Sequence, residues 1–182
     1  MPELLWLVLA GLFLLLSVIW LLIPALYGLP WIPTREKRIR RALQMADLQP
    51  DERLYDLGAG DGRVLIIAAK EFDAKAVGVE IGPVQCLVGW LRTFFSGSRT
   101  KVRIRCGNFY RADVSDADVV FIYAASTQTS KLLPLLERTL RPGARVVSIA
   151  ADFSGWAPKM VDREHLIFLY EMPPERQSGY NK

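Results

Sequence analysis

Histidine and cysteine are almost absent from this chain: its 182 residues contain one His, His165, and two Cys, Cys86 and Cys106. A zinc site or a Ser-His-Asp triad needs companions that His165 does not have, so both are excluded and no metal is expected. His165 reads instead as a surface or strand-end residue. The two cysteines fit neither a disulfide framework nor a metal motif, and Cys86 falls in a helical pattern where a buried thiol is ordinary. A reducing compartment follows. One-sided charge is lacking too: 23 Lys and Arg stand against 19 Asp and Glu. The small basic excess is local, so nucleic acid is not the expected partner.

Charge is missing altogether from residues 4–23, and the uncharged run continues to Thr34. As a helix, twenty such residues rise about 30 Å, the hydrocarbon thickness of a bilayer. The run is apolar all round, unlike an amphipathic core helix, and Met1-Pro2-Glu3 lacks the basic start of a signal peptide. These features predict a transmembrane anchor over residues 1–30, with the lipid bilayer as a partner. Glu3 precedes the run, and Arg35-Glu36-Lys37-Arg38-Ile39-Arg40-Arg41 follows it with five basic residues in seven. The positive-inside rule then places the N-terminus outside and the rest of a single-pass protein in the cytoplasm. Trp20, Tyr27 and Trp31 fit an aromatic belt, and Pro24, Pro30 and Pro33 an irregular exit from the membrane. Each basic residue near an anionic headgroup surface contributes about 1 kcal/mol. No Arg- and Ser-rich presequence precedes the run, which points to a bacterial inner membrane rather than a mitochondrion.

Residues 31–50 read as a basic juxtamembrane segment. Ile39, Ala42, Leu43 and Ala46 recur at helical spacing behind Thr34 as N-cap, predicting an amphipathic helix from Thr34 to about Met45 with its basic side toward headgroups. Residues 51–175 alternate strands with helices. Strands are expected at residues 54–57, 77–80, 101–106, 119–123 and 144–150. Val84, Leu87, Val88 and Leu91 form one face of a helix that Pro83 opens and Ser96-Gly97-Ser98 ends. Residues 126–130 read as a polar loop capping the helix of Leu132, Leu135, Leu136 and Leu140. Residues 166–170 give the clearest strand of an antiparallel edge hairpin, and residues 176–182 a polar tail. The whole predicts an α/β chain: a doubly wound, Rossmann-like parallel sheet behind an N-terminal transmembrane helix, with ligands at the C-terminal strand edges.

Within that pattern Asp56-Leu57-Gly58-Ala59-Gly60-Asp61-Gly62 joins the first strand to a helix opened by Arg63. The glycines make a tight turn with no Cβ to obstruct a close ligand. Glu80 ends the next strand, where a strand-helix-strand unit sets a carboxylate beside a nucleotide ribose to accept both hydroxyls through charge-assisted bonds. A dinucleotide turn wants G-x-G-x-x-G, whereas Gly62 comes one place early. Asp56 and Asp61 would repel a pyrophosphate but suit an ammonium and a sulfonium. G-x-G-x-G behind Asp56 resembles the first motif of the seven-stranded S-adenosyl-L-methionine methyltransferases. The resemblance implies S-adenosyl-L-methionine as cofactor, lying on Leu57, Gly58, Ala59, Gly60 and Gly62 with Glu80 on its ribose and Ile81 beside it. Asn108 would accept from the adenine amino group, where many relatives carry Asp, and Phe109 would stack on adenine or fill the core.

Methyl transfer is an in-line displacement at an activated carbon, so the protein chiefly positions the nucleophile and excludes water. No general base is evident. The end of the fourth strand, Tyr123-Ala124-Ala125-Ser126, lacks the Asn/Asp-Pro-Pro-Tyr/Phe motif of enzymes acting on amide or adenine nitrogens, which argues for another acceptor such as an aliphatic amine. A lysine must arrive neutral, and burial near aromatics lowers its pKa. Trp31, Tyr123 and Trp156 are therefore the candidate acceptor-site residues, each with a structural role as its alternative.

Trp31-Ile32-Pro33-Thr34, then the residues from Tyr55 to Arg63, Val77-Gly78-Val79-Glu80, Asp118-Val119-Val120-Phe121-Ile122-Tyr123 and Pro142-Gly143-Ala144-Arg145-Val146-Val147-Ser148 together resemble the small protein-lysine methyltransferases. That family is related to the mitochondrial enzymes that modify ATP synthase c-subunit and adenine nucleotide translocase. The resemblance runs from about Trp31 to Trp156 and departs from the family pattern at Trp31, Arg35, Asn108 and residues 126–130. It implies a membrane-anchored methyltransferase acting on lysine of a membrane or membrane-associated protein. Two other readings stay open: a lipid or quinone methyltransferase, favoured by the same anchor and the missing amide-type motif, and a non-catalytic cofactor-binding scaffold, favoured by the missing base.

Overall fold

The computed structural model describes residues 2–26, 34–123 and 125–176. Seven strands form one sheet: β1 (Arg53–Leu57), β2 (Lys75–Glu80), β3 (Val102–Cys106), β4 (Val119–Tyr123), β5 (Arg145–Ile149), β6 (Met160–Asp162) and β7 (Ile167–Glu171), in the spatial order β3-β2-β1-β4-β5-β7-β6. The first five run parallel, and β7 is antiparallel to both β5 and β6. The expected edge hairpin is therefore present, and the strand order reverses between β1 and β4, where doubly wound sheets bind ligands.

Helices cover both faces. On one lie α2 (Glu36–Met45), α3 (Arg63–Glu71) and α4 (Pro83–Phe95). Ile39, Ala42 and Leu43 of α2 and Leu65 and Ala68 of α3 meet Leu54, Phe121 and Val147 in a fully buried layer. On the other face α5 (Ser126–Thr139) sets Leu132, Leu135 and Leu136 against Tyr55, Val120, Ile122 and Tyr170. The central strands β1, β2, β4 and β5 are thus buried on both sides, which is why they read as nearly continuous apolar runs.

Five expectations need correction. Among the described residues no helix is long and apolar enough to cross a membrane. That finding covers the N-terminal helix α1, Pro2–Leu26, on which the expectation rested. The transmembrane helix and the single-pass placement, with its outside N-terminus, fall with it. Tyr27, Pro30, Trp31, Pro33 and residues 177–182 lie outside the described residues, as does the side chain of Trp20. Second, the basic run does not present a uniform face to headgroups. Arg40 pairs with Glu71 and Glu36, Arg41 with Asp162, and Arg38 donates to the His165 carbonyl at 2.6 Å. These bonds fasten α2 to the domain, and its N-cap is Arg35, with Thr34 buried just before it.

Third, α4 is turned over relative to its apolar pattern. Leu87, Val88 and Leu91 are exposed, and the buried face carries Gln85, Cys86, Gly89 and Thr93. The cause is close packing on the glycine turn: a Cβ on Gly89 would lie 3.2 Å from the Gly60 carbonyl oxygen and 2.9 Å from Ile104 Cδ1. Only small or flexible side chains fit there. α1 meets the domain at α4. Fourth, Cys86 and Cys106 form a disulfide across α4 and the end of β3, with Cα atoms 6.0 Å apart. Residues 126–130 also prove to be the first turn of α5 rather than a loop, with Thr129 Oγ1 and Ser130 Oγ both donating to the Ser126 carbonyl.

Candidate cofactor and acceptor site

The turn from β1 to α3 is shaped by its glycines and by the strand beside it. Gly62 ends the turn at φ 76°, a left-handed conformation that a side chain would strain, and from there α3 begins. Gly78 matters for a different reason: a Cβ there would sit 2.6 Å from both Ala59 Cβ and Leu65 Cδ1. Its hydrogen lets turn, helix and β2 close on one another. Glu80, at the end of β2 and 7% exposed, locks the arrangement. One carboxylate oxygen accepts from the Gly60 N–H at 2.8 Å and the other from the Gly82 N–H at 2.7 Å.

Gln85, which no sequence motif singles out, joins this carboxylate. It is 4% exposed, and its Oε1 has no hydrogen-bond partner among the described residues. The point where a Cβ on Gly82 would sit is 2.1 Å from that oxygen and 3.2 Å from Glu80 Oε1. A buried carboxylate with free lone pairs and an orphan amide oxygen thus converge on one spot beside the glycine turn. Hydroxyl or amine donors would satisfy both. This fits the ribose end of S-adenosyl-L-methionine, and the Cβ-free turn fits a ligand lying close to backbone.

The two acidic residues of the turn differ. Asp56, at the end of β1, is buried, and burial together with the Glu80 and Asp61 charges pushes its pKa well above the ordinary 3.8. Its neighbours raise rather than offset that burden, and a ligand ammonium would relieve it. Burial also pushes Asp61 upward, but hydrogen bonds and charge from Arg63 and the charge of Arg92 outweigh it and hold its carboxyl low. Asp61 is therefore a structural anchor: it takes Arg63 from α3 and Arg92 from α4. Arg63 Nη1 also donates to the Thr34 carbonyl at 3.1 Å, tying the lead to α2 onto the same turn.

The remaining expected contacts divide. Ile81 is half-buried beside the site. Asn108 follows β3, and its Oδ1 accepts from the Tyr110 N–H at 2.9 Å, capping a short 3₁₀ turn. Phe109 is 1% exposed and packs on Tyr110 in the core. Tyr123 ends β4, half-buried, with the Arg38 guanidinium 5.8 Å from its ring centroid. Trp156 is brought elsewhere: fully buried, stacked on Phe153 at 4.9 Å, it donates from Nε1 to Glu137. Trp31 lies outside the described residues. No cluster of metal-ligating side chains occurs among the described residues.

This geometry has close counterparts. The family model of the ANTKMT methyltransferase domain matches residues 56–160. A protein-lysine N-methyltransferase of Saccharolobus islandicus is 40% identical over 148 residues, covering 78% of this chain and 92% of the relative. A lysine N-methyltransferase of the ATP synthase c-subunit, from Mus musculus, is 28% identical over 153 residues; the match covers 83% of this chain and 61% of the mouse protein. Among solved structures, an RNA methyltransferase from Salinibacter ruber in complex with S-adenosyl-L-homocysteine superposes with a TM-score of 0.78 at 35% identity, covering 83% of this chain and 100% of the other.

Proposed function

From the premise that this chain belongs to the ANTKMT methyltransferase-domain family, and is thereby an S-adenosyl-L-methionine-dependent methyltransferase, we propose that it methylates the ε-amino group of lysine in a protein. The observation that carries the reading is the set of Glu80, Gln85, Asp56 and the glycine turn on one side of the strand-order reversal, with half-buried Tyr123 on the other. The bound cofactor supplies an electrophilic methyl on a sulfonium. Glu80 and Gln85 hold the ribose, and Asp56 faces the ammonium of the methionine moiety. Leu57, Gly58, Ala59, Gly60, Ile81, Asn108 and Phe109 complete the cofactor's surroundings. Tyr123 borders the acceptor amine, which arrives deprotonated so that its lone pair can displace the sulfonium in line.

Protein-lysine methylation is favoured by the 40% identity to the Saccharolobus islandicus enzyme, while the RNA methyltransferase at 35% supplies the competing reading. The deciding experiment incubates the full chain, and a Glu80→Ala control, with radiolabelled S-adenosyl-L-methionine and a cell extract, then separates protein, RNA and lipid. Label in protein, recovered as methyl-lysine after hydrolysis and absent with Glu80→Ala, is the expected result. Label confined to RNA or to lipid would replace the lysine reading, and none in any fraction would point to a binding scaffold.

A further inference from the structure

β7 begins opposite the C-terminal end of β5, so the turn between β6 and β7 stands on the same sheet edge as the glycine turn, but on the acceptor side. The start of α2 faces it. Between them lies a cleft of about 380 Å³ lined by Arg35, Lys37, Arg38, Glu164, His165 and Leu166. Its charges are unbalanced. Arg40 and Arg41 are neutralised by Glu71, Glu36 and Asp162, but Arg35, Lys37 and Arg38 have no carboxylate partner among the described residues. Arg38 is held in place by a neutral carbonyl, that of His165, with the Tyr123 ring beneath it. Glu164 is the single anion on the wall, its side chain 82% exposed and 3.9 Å from the His165 ring. Asp162, next along the turn, is taken by Arg41 and His165.

Three unneutralised cations at the mouth of the acceptor side repel an incoming lysine ammonium unless its surroundings carry negative charge. We infer that this cleft docks an acidic side chain neighbouring the acceptor lysine in the protein substrate. The inference rests on the lysine reading above and adds a sequence preference to it. Arg38 is the central element: fixed by its two bonds to the His165 carbonyl, it presents a pre-oriented guanidinium that a carboxylate can meet without ordering a flexible side chain. The same rim lowers the pKa of a lysine once docked, which favours the neutral nucleophile. RNA is the weaker occupant. The cations form one short cluster rather than a track, and the nearby aromatic, Tyr123, is covered by Arg38 instead of being free to stack a base.

The test measures binding to full-length protein saturated with S-adenosyl-L-homocysteine, by fluorescence anisotropy of labelled peptides at low salt. A nonapeptide with Lys flanked by Glu is compared with the same peptide carrying Gln in place of Glu, and with a uridine decamer. The acidic peptide is expected to bind about tenfold tighter than the neutral one, with the advantage erased by added salt and by either Arg38→Gln or the double variant Arg35→Gln/Lys37→Gln. The double variant alters only side chains without ion pairs, so it separates charge from folding. Equal binding of the two peptides, or a preference that survives both variants, overturns the inference. So does a decamer that outcompetes the acidic peptide through the same residues. If methyl-lysine forms in extract yet the peptides bind alike, docking alone fails; if label goes to RNA, the lysine reading itself fails.

Discussion

The two halves of the sheet's C-terminal edge are built differently. Over β1 and β2 the site is closed: Glu80, Asp56, Asp61 and Gln85 are all nearly inaccessible, backbone N–H groups reach both Glu80 oxygens, and a methyl group added at Gly78 or Gly89 would collide with its neighbours. Over β4 and β5 the site is open, bordered by half-buried Tyr123 and by Arg35, Lys37 and Arg38, which have no carboxylate partner among the described residues. The closed half has one chemical task, holding a constant cofactor, and low dielectric makes each misplaced polar group costly there. In the proposed function the open half receives the protein acceptor, and exposed charges there tolerate change better than buried ones. Rigidity and specificity thus reside in different strands of one sheet.

The largest effect should come from breaking the closed half. Glu80→Ala removes two backbone bonds and the carboxylate proposed to take the ribose, and cofactor affinity measured by calorimetry should fall at least about 30-fold, since bonds to a charged group contribute roughly 1.5–3 kcal/mol each. Gly78→Val should lower the thermal midpoint by overpacking, at about 1–3 kcal/mol, and abolish binding together with it. Gln85→Leu is sharper. Because it deletes an acceptor that lacks a partner, the cofactor-free protein should be as stable as wild type or more so, while affinity for S-adenosyl-L-homocysteine drops about tenfold. Unchanged affinity would remove Gln85 from the site.

Asp56 gives a pH signature. Its folded pKa lies above the unfolded value, so the folded state holds the proton more tightly. Its contribution to cofactor-free stability is therefore present below about pH 4 and declines as pH rises toward the folded pKa. Cofactor affinity should run the other way, strengthening over the same interval as the carboxylate forms opposite an ammonium. Asp56→Asn should flatten both curves, and a variant that leaves the binding curve unchanged would free Asp56 from that role. The smallest effect belongs to the open half: Tyr123→Ala should lower kcat/KM for the protein acceptor while cofactor affinity stays within about twofold of wild type.

That contrast also explains how much of the molecule its sequence discloses. The glycine turn and Glu80 are legible because tight turns and buried carboxylates are local chemistry, set by residue type and spacing. The parallel sheet follows from alternating apolar segments. Gln85 is not legible, because α4 carries its apolar stripe outward and buries a polar one, an inversion forced by the approach of Gly89 to the turn and invisible to periodicity. The pairing of Cys86 with Cys106 depends on where α4 and β3 come together. For the basic run, composition discloses the charges but not which of them find carboxylates on α3 and on the β6–β7 hairpin. Trp156 is a plain case of a core aromatic whose sequence position resembles a site.

The Arg63 guanidinium holds Asp61 on the glycine turn and the Thr34 carbonyl ahead of α2, and α2 is one wall of the proposed acceptor cleft. On that proposal cofactor and acceptor share one pin. Any free energy with which cofactor loading favours one setting of the turn must return, equal in size, as a change in the affinity of the cleft. The coupling is the same whichever ligand arrives first.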